Sequence, residues 1–438
     1  MSVRVRFAPS PTGKVHIGNI RVAIFNWLFA RHEGGRFLLR IEDTDRERHT
    51  PEAVEAVLDI MNWLGLDYDE DPVCQSSRFA RHGDCARRLL ESGAAYLEDK
   101  GGTGKGECTV FRMPRKPVSF VDEIKGELRK DAEDLHDFVI VRSDGAPTFH
   151  LANVVDDMDM GITHVIRGDD HVENTFKQVA LFQALGAELP RYAHLPMVVN
   201  QHGKPYSKRD GDCFAGQFRD RGFVADAMVN YLALLGWSPG GDREKMSREE
   251  LILFFTLDRV RSSPSRMDIR KWTHLNGQYI AEQPLDEFVN AVSERLKGEE
   301  WADNAESVYF RKVCALMQSR THLYSYASGW KYFFSEDFEY DEKAVRKMLK
   351  KEGRKRALEV LKTQLESIGG FSEESAESSI RKAEETEGIK AGKLNQPVRV
   401  AVTGTAAGAG LYETMVLLGK NRCLKRLDYA AAHLCGSA

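Results

Sequence analysis

Three short stretches carry residues whose types and spacing could act on an anion. The first is Ala8-Pro9-Ser10-Pro11-Thr12-Gly13, followed by His16, Gly18 and Asn19. Its prolines remove backbone donors and fix φ, and Gly13 permits positive φ, so this stretch is a loop. Alternating residues precede it (Val3, Val5, Phe7). Helical spacing follows from near Gly18 through Ile20, Ala23, Ile24, Trp27 and Leu28 to a stop at Gly34-Gly35. A strand–loop–helix turn of this kind aims unpaired N–H groups and a helix dipole at one point, and nucleotide phosphates are its usual occupants. His16 stands where it could bond a phosphate or ribose, or cap the helix. The turn has no Gly-x-Gly-x-x-Gly, and Gly104-Lys105 lacks the upstream glycine of a phosphate-binding P-loop.

The second stretch, Glu42-Asp43-Thr44-Asp45, ends a run of strand character, Phe37 to Ile41. A carboxylate there could receive a cationic group or cap the next helix. Salt bridging among Glu42, Arg6, Arg40 and Arg167 is an equal contender. Arg6 and Arg167 each sit near the end of a strand, and two guanidiniums facing one crevice suit a dianionic or carboxylate substrate. The third stretch, Lys204-Pro205-Tyr206-Ser207-Lys208-Arg209, lies between glycines. Next to a phosphate-binding turn, such a basic loop can supply a mobile cation for charge on a transferring phosphoryl group.

Strand, helix and strand within the first forty residues predict a parallel βαβ unit and a doubly wound sheet. A second helix is expected from Thr50-Pro51 (N-cap, then proline at N1), with Val54, Val57, Leu58, Met61 and Leu64 as its apolar stripe. Residues 72–143 change character and read as an insertion. The sheet resumes at His164 to Arg167, with a helix through Phe176, Val179 and Phe182 and a strand at Val198-Val199. Beyond about Ser238 the pattern is almost wholly helical. One predicted helix is dense in bases (Lys343, Arg346, Lys347, Lys350, Lys351, Arg354, Lys355 and Arg356), and the next, Ser372 to Glu387, is dense in acids. Both read as solvated faces, with nucleic-acid contact the minority reading for the basic one.

The 438 residues exceed one hydrophobic core, so two to four domains are expected. No apolar run is long enough to span a bilayer and no signal-like N-terminus is present, which points to a cytoplasmic protein with no membrane partner. The seven cysteines are scattered without a Cys-x-x-Cys pair, so neither a disulfide framework nor a zinc knuckle is indicated. With a net charge of −4, any nucleic-acid surface must be a local basic face.

Taken in order, these motifs resemble the bacterial-type glutamyl-tRNA synthetases, a class I aminoacyl-tRNA synthetase family. Arg6-Phe-Ala-Pro-Ser-Pro-Thr-Gly-Lys-Val-His-Ile-Gly-Asn19 is similar to that family's first signature. Phe25-Asn-Trp-Leu-Phe-Ala30 and Leu39-Arg-Ile-Glu-Asp-Thr-Asp45 extend the match. Pro147 to Asp157, Val165-Ile-Arg-Gly-Asp-Asp-His171, Tyr206-Ser-Lys-Arg209, Asn230 to Trp237 and Leu275 to Ile280 fall in family order. Lys393-Leu-Asn-Gln-Pro397 and Leu417-Leu-Gly-Lys420 resemble its last anticodon-binding domain, so the resemblance covers essentially the whole chain.

The resemblance implies a Rossmann-like catalytic domain (1–71 and 144–200) interrupted by an acceptor-binding insertion (72–143). A stem-contact region carrying the lysine loop (201–300) and all-α anticodon-binding domains (301–366 and 367–438) would follow. It implies that Arg6 and Arg167 hold glutamate's carboxylates, Glu42 its ammonium, and that Ala8, Ser10, Phe149 and Asn153 line the pocket. Thr12, His16, Gly18, Asn19, His171, Ser207 and Lys208 would hold ATP, with His16 and Lys208 assisting catalysis. Magnesium would ride on the ATP phosphates, and no protein-bound zinc is expected. The implied partners are L-glutamate and glutamate tRNA, with glutamine tRNA as a second candidate, and the implied state is a monomer. Arg320 aligns with an anticodon-reading arginine linked to strict tRNA choice. Glutaminyl-tRNA synthetases usually end in β-barrels, and the glutamyl-queuosine enzymes lack an anticodon region. A nucleotidylyltransferase would be far shorter, and a non-catalytic RNA-binding paralogue would not need Lys208, His16 and Glu42.

The chain departs from the pattern in three places. Pro205 stands where the lysine loop usually opens with lysine, the zinc-binding cysteines of some relatives are missing, and Phe149 replaces a frequent tyrosine. Loss of that hydroxyl predicts weaker glutamate binding than in relatives. Phe149→Tyr should therefore lower the KM for glutamate in pyrophosphate exchange, and an unchanged KM would contradict the assignment.

Overall fold

The computed structural model describes residues 2–11, 13–44, 50–99, 106–302 and 307–436, and the chain forms two compact units, Met1–Leu275 and Asn276–Ala438. In the first unit, β1 (Arg4–Phe7), α1 (Ile17–His32) and β2 (Arg36–Ile41) make the expected βαβ unit, with β1 and β2 parallel in the register Arg6↔Leu38. Val5, Arg6 and Phe7 are all buried, so β1 is an interior strand covered on both faces instead of an alternating one. The helix of Thr50-Pro51 forms as α2 (Pro51–Leu64), with the Thr50 side chain accepting from the Ala53 N–H. Its buried stripe is Ala53, Val57, Ile60, Met61 and Leu64; Val54 and Leu58, expected there, are only partly covered.

β3 (Val73–Cys74) extends the parallel group as β1-β2-β3. After α3 (Phe79–Glu91), β4 (Ala95–Asp99) and β5 (Glu107–Phe111) are joined by a later strand in an antiparallel sheet of their own. Between them in sequence, β6 (Val118–Asp122) and β7 (Gly126–Lys130) form a hairpin, and β8 (Phe138–Val141) then closes the antiparallel sheet. α4 (Phe149–Asp159), β9 (His164–Gly168), α5 (Val172–Leu185) and β10 (Arg191–Leu195) complete a second group of order β7-β6-β10-β9. In that group β6 pairs parallel with β10 at Tyr192↔Asp122, so a hairpin from the 72–143 segment belongs to the same sheet as β9.

The two parallel groups meet at Thr163. Its N–H donates to Arg4 O (2.9 Å), and its hydroxyl oxygen accepts from the Arg4 N–H (2.9 Å). The chain leaves β1 toward β2 on one side, while β9 lies on the other. That reversal is a switch point, where open α/β sheets leave a crevice at the strands' carboxyl ends. Arg6, Glu42 and Arg167 all stand at this edge.

The rest of the first unit is carried by short elements. β11 (Val198–Val199) runs parallel to β12 (Ser265–Arg266), and between them lie α6 (Ala215–Asp220), α7 (Ala225–Leu234) and α8 (Arg248–Phe254). Fully buried Trp272 anchors this region against Phe218, Phe223 and Tyr231, with ring centroids 4.4, 4.7 and 4.7 Å away. In the second unit the described elements are helical, as expected beyond Ser238. The basic run, however, is not one helix. It splits into Glu342–Met348 and Arg354–Ser367, broken where Leu349 is buried and Gly353 takes a φ of 74°. The acidic helix forms as Glu373–Thr386 behind a Ser372 capping box.

α1 and β2 are joined through Gly35, at a point where backbone replaces side chain. A Cβ there would stand 2.4 Å from Val3 O, which already accepts the Arg36 N–H at 2.8 Å. Gly35→Ala should cost about 1–3 kcal/mol of stability, whereas Gly83→Ala, in the exposed interior of α3 with open space around it, should be neutral or stabilising. Thermal melts of the two variants check the contrast.

Candidate active site

The switch-point crevice opens into a cavity of about 590 Å³. Its wall contains Arg6, Ala8, Ser10, His16, Gly18, Asn19, Glu42, Phe149, Asn153, Arg167 and His171, so residues picked out along 166 positions of sequence converge on one space. Ser207 and Lys208 are not in the wall, although their neighbours Pro205 and Tyr206 are. Ser207 instead caps the turn Lys208–Asp210, and the Lys208 Nζ stands 5.0 Å from the centroid of the Phe214 ring. Phe214 in turn meets the His16 ring edge-on at 6.2 Å. Thr12 lies outside the described residues. Arg320 is exposed in the second unit, on a single turn after the helix Val308–Met317.

The cavity floor is a buried charge network. Asp157 receives Arg6 Nε (2.9 Å) and Nη2 (3.2 Å) on its two oxygens and also accepts from Arg40 Nη1 (2.5 Å). Arg40 Nη2 donates to Glu42 (3.2 Å) and to Asn153 Oδ1 (3.0 Å), and Asn153 Nδ2 donates to Glu42 (2.6 Å). Asn153 and Asp157 are one turn apart on α4 and so present the same face to β1 and β2. Of the bridging expected among Glu42, Arg6, Arg40 and Arg167, only Arg40–Glu42 is present among the described residues; Arg6 pairs with Asp157, and Arg167 pairs with neither. Burial pushes Asp157 up, yet Arg40 and Arg6 outweigh it and hold the carboxyl below its usual range. At Glu42 burial wins over Arg40 and the pKa is raised.

Arg167 is built differently. Its Nη2 donates to Thr175 Oγ1 and Gln178 Oε1 (2.7 Å each), its Nε donates to His194 Nε2 (3.2 Å), and it has no carboxylate partner among the described residues. Burial, and after it the charge of Arg6, pulls its pKa down to about 10, so it stays cationic at neutral pH. Burial keeps the nearby histidines neutral: His171 is shifted down, and His150 falls to about 4. Phe149 stacks on His171 at 5.8 Å.

On the opposite wall His16 is both cap and lining. Its Nδ1 accepts the Gly18 N–H (3.0 Å), which commits that nitrogen, while the ring still lines the cavity. Ile17 N–H to Cys213 O (2.9 Å) and Ala215 N–H to Val15 O (3.0 Å) lace this loop to the segment beyond the lysine loop. Arg21, one turn into α1, donates to Leu235 O and Pro196 O (2.6 Å each), and burial pulls its pKa down to about 9. Sequence reasoning missed Arg21, Asp157 and the partners of Arg167. The Asn153/Asp157 spacing was a usable signal for one of them; His194, Thr175 and Gln178 offered none.

Residues 2–103 and 97–274 match the catalytic-domain model of the class I tRNA synthetases (E and Q), and residues 287–431 match an anticodon-binding domain. The chain is 38% identical to the glutamate–tRNA ligase 2 of Thermoanaerobacter pseudethanolicus over 470 residues, covering 98% of each. It is 39% identical to the glutamate–tRNA ligase of Legionella pneumophila (strain Lens) over 462 residues, again 98% of each. Among solved structures, a glutamate tRNA ligase from Elizabethkingia meningosepticum, in complex with its amino acid, superposes with a TM-score of 0.84 at 28% identity. That match covers 99% of this chain and all of the other.

The shared carboxylate gives a direct test of the network. Asp157→Asn leaves Arg6 and Arg40 buried without their common counter-charge and should cost about 3–5 kcal/mol of stability. An unfolding free energy from urea denaturation within about 1 kcal/mol of wild type would contradict this account of the floor.

Proposed function

The chain belongs to the class I tRNA synthetases of the glutamate and glutamine type, and on that premise we propose that it ligates L-glutamate to the 3′ end of glutamate tRNA. The route is a glutamyl-adenylate made with ATP, and AMP and pyrophosphate are released. The observation that carries the amino-acid assignment is the charge of the cavity floor. Within this network Arg6 and Arg40 are balanced by Asp157 and Glu42, and buried Arg167, held by neutral acceptors, contributes one positive charge that no carboxylate among the described residues pairs. Glutamate, with two carboxylates and one ammonium, brings the opposite excess. Arg6 and Arg167 take its carboxylates, Glu42 takes its ammonium, and Ala8, Ser10, Phe149 and Asn153 shape the pocket. Glutamine would leave a buried guanidinium against a neutral amide, which disfavours it.

The loop and helix start at His16, Gly18 and Asn19, with His171 across the cavity, receive ATP. The substrate carboxylate is already a nucleophile, so attack on the α-phosphorus needs no protein base. The enzyme contributes positioning and electrostatic stabilisation. Ser207 and Lys208 reach the departing pyrophosphate by movement of the turn Lys208–Asp210, consistent with Lys208 resting on Phe214 outside the wall. Glu42 meets Arg40 and Asn153 through Oε1, which leaves Oε2 for the substrate ammonium. Magnesium is carried in on the ATP phosphates. The 2′-hydroxyl of the terminal adenosine then attacks the adenylate while the helical second unit engages the anticodon, with Arg320 favouring glutamate tRNA over glutamine tRNA. A cytoplasmic monomer completes the reading.

Pyrophosphate exchange tests it. Glutamate, ATP and added glutamate tRNA should support exchange, with glutamine poorer by at least about a hundredfold in kcat/KM. No glutamate-dependent exchange would overturn the enzymatic reading, and efficient glutamylation of purified glutamine tRNA would overturn the strict tRNA choice.

A further inference from the structure

Arg6 and Arg40 share Asp157, but every hydrogen-bond partner of Arg167 among the described residues is a neutral lone pair: His194 Nε2 (which also meets Thr175 Oγ1 at 3.0 Å), Thr175 Oγ1, Gln178 Oε1 and, at 3.4 Å, His171 O. Such acceptors orient a guanidinium without neutralising it, so its charge remains for a ligand. His194 is the conditional member of the set, because an imidazole nitrogen accepts only while the proton sits on the other nitrogen. Asp122 Oδ2 lies 2.6 Å from His194 Nδ1, with both side chains fully buried, and an ionised carboxylate there requires the proton on Nδ1. Burial pushes Asp122 up, but the hydrogen bond from His194 and the Lys125 and Ile124 amides hold it below the usual carboxylate range. Burial, opposed by Asp122 and aided by Arg167, keeps His194 below its ordinary pKa and hence neutral. Tyr192 stacks parallel to the ring at 6.1 Å and fixes its plane.

We propose that Asp122 and His194 are positioning residues for amino-acid recognition: Asp122, from the β6–β7 hairpin, sets the tautomer of His194, whose Nε2 then aims Arg167 at the substrate's carboxylate. This rests on the glutamate reading above. It also links the inserted segment to specificity, since Asp122, on that hairpin, stands 45 positions before Arg167 in sequence.

The chemistry of an asparagine at position 122 makes the proposal testable. Asp122 Oδ1 accepts the Ile124 (3.0 Å) and Lys125 (2.9 Å) amides and Oδ2 also accepts the His194 backbone N–H (3.1 Å), so an asparagine oxygen kept on the first two amides turns its NH₂ toward both His194 Nδ1 and that backbone N–H, the second effect being common to any residue at 194. The ring proton would then move to Nε2 and oppose the Arg167 Nε–H. In pyrophosphate exchange with transcribed glutamate tRNA, Asp122→Asn should raise the KM for glutamate by about tenfold or more, while the KM for ATP stays within about twofold. His194→Leu should do the same. His194→Gln, which keeps an acceptor, should stay near wild type. In the His194→Gln background Asp122→Asn should add no more than about twofold, because glutamine has no tautomer to flip. An equal penalty for Asp122→Asn in both backgrounds, or an unchanged glutamate KM in His194→Leu, would overturn the proposal and leave the functional reading standing. A wild-type chain without glutamate-dependent exchange would overturn both.

Discussion

One buried carboxylate, Asp157, accepts from two guanidiniums, Arg6 on β1 and Arg40 on β2, and the catalytic unit is organised around that contact. It joins α4 to the two strands whose ends form the crevice. With Glu42 as the second carboxylate on Arg40, it balances Arg6 and Arg40 and leaves Arg167 as the guanidinium without a carboxylate partner among the described residues. Breaking a buried pair is costly in a way that forming it is not favourable. The network is therefore better understood as fixing position than as supplying net stability. Arg6 is held by its Nε and one terminal nitrogen, which leaves its geometry set before any ligand arrives.

The second arginine facing the cavity is held by the opposite strategy. Arg167 is surrounded by neutral acceptors, keeps its charge, and has its pKa pulled down to about 10 without losing its proton at neutral pH. The pair thus divides the work: Arg6 is pre-neutralised in part, and Arg167 is the group that most needs an anion.

The departures noted in sequence acquire a physical setting. Phe149 opens α4 and stacks on His171, so the ring keeps a packing role that does not depend on a hydroxyl. Pro205 sits in a bridge to Val199, and Tyr206 N–H bonds Val198 O (3.0 Å). The proline therefore falls where the loop is pinned to β11, ahead of the turn that carries Lys208. The basic run at 343–356 failed as a single helix because periodicity counts charges and is blind to a buried Leu349 and a left-handed Gly353.

The linear chain by itself determined the βαβ start, the loop at Ala8 to Gly13, the cap at Thr50 and the acidic helix from Ser372. Each of these depends on neighbours within a few residues, where proline, glycine and helical spacing act directly. The ordered motifs added the family. Only the tertiary structure decided what those residues do to one another. That Arg6 and Arg40 share Asp157 and that Arg167 meets His194, which meets Asp122, are contacts between elements far apart in sequence, and the placing of Lys208 on Phe214, six residues on, depends on the path of the loop between them. Burial turns such contacts into strong constraints, because a charge withdrawn from water must find its partner wherever the fold delivers one. No local pattern records which partner that is.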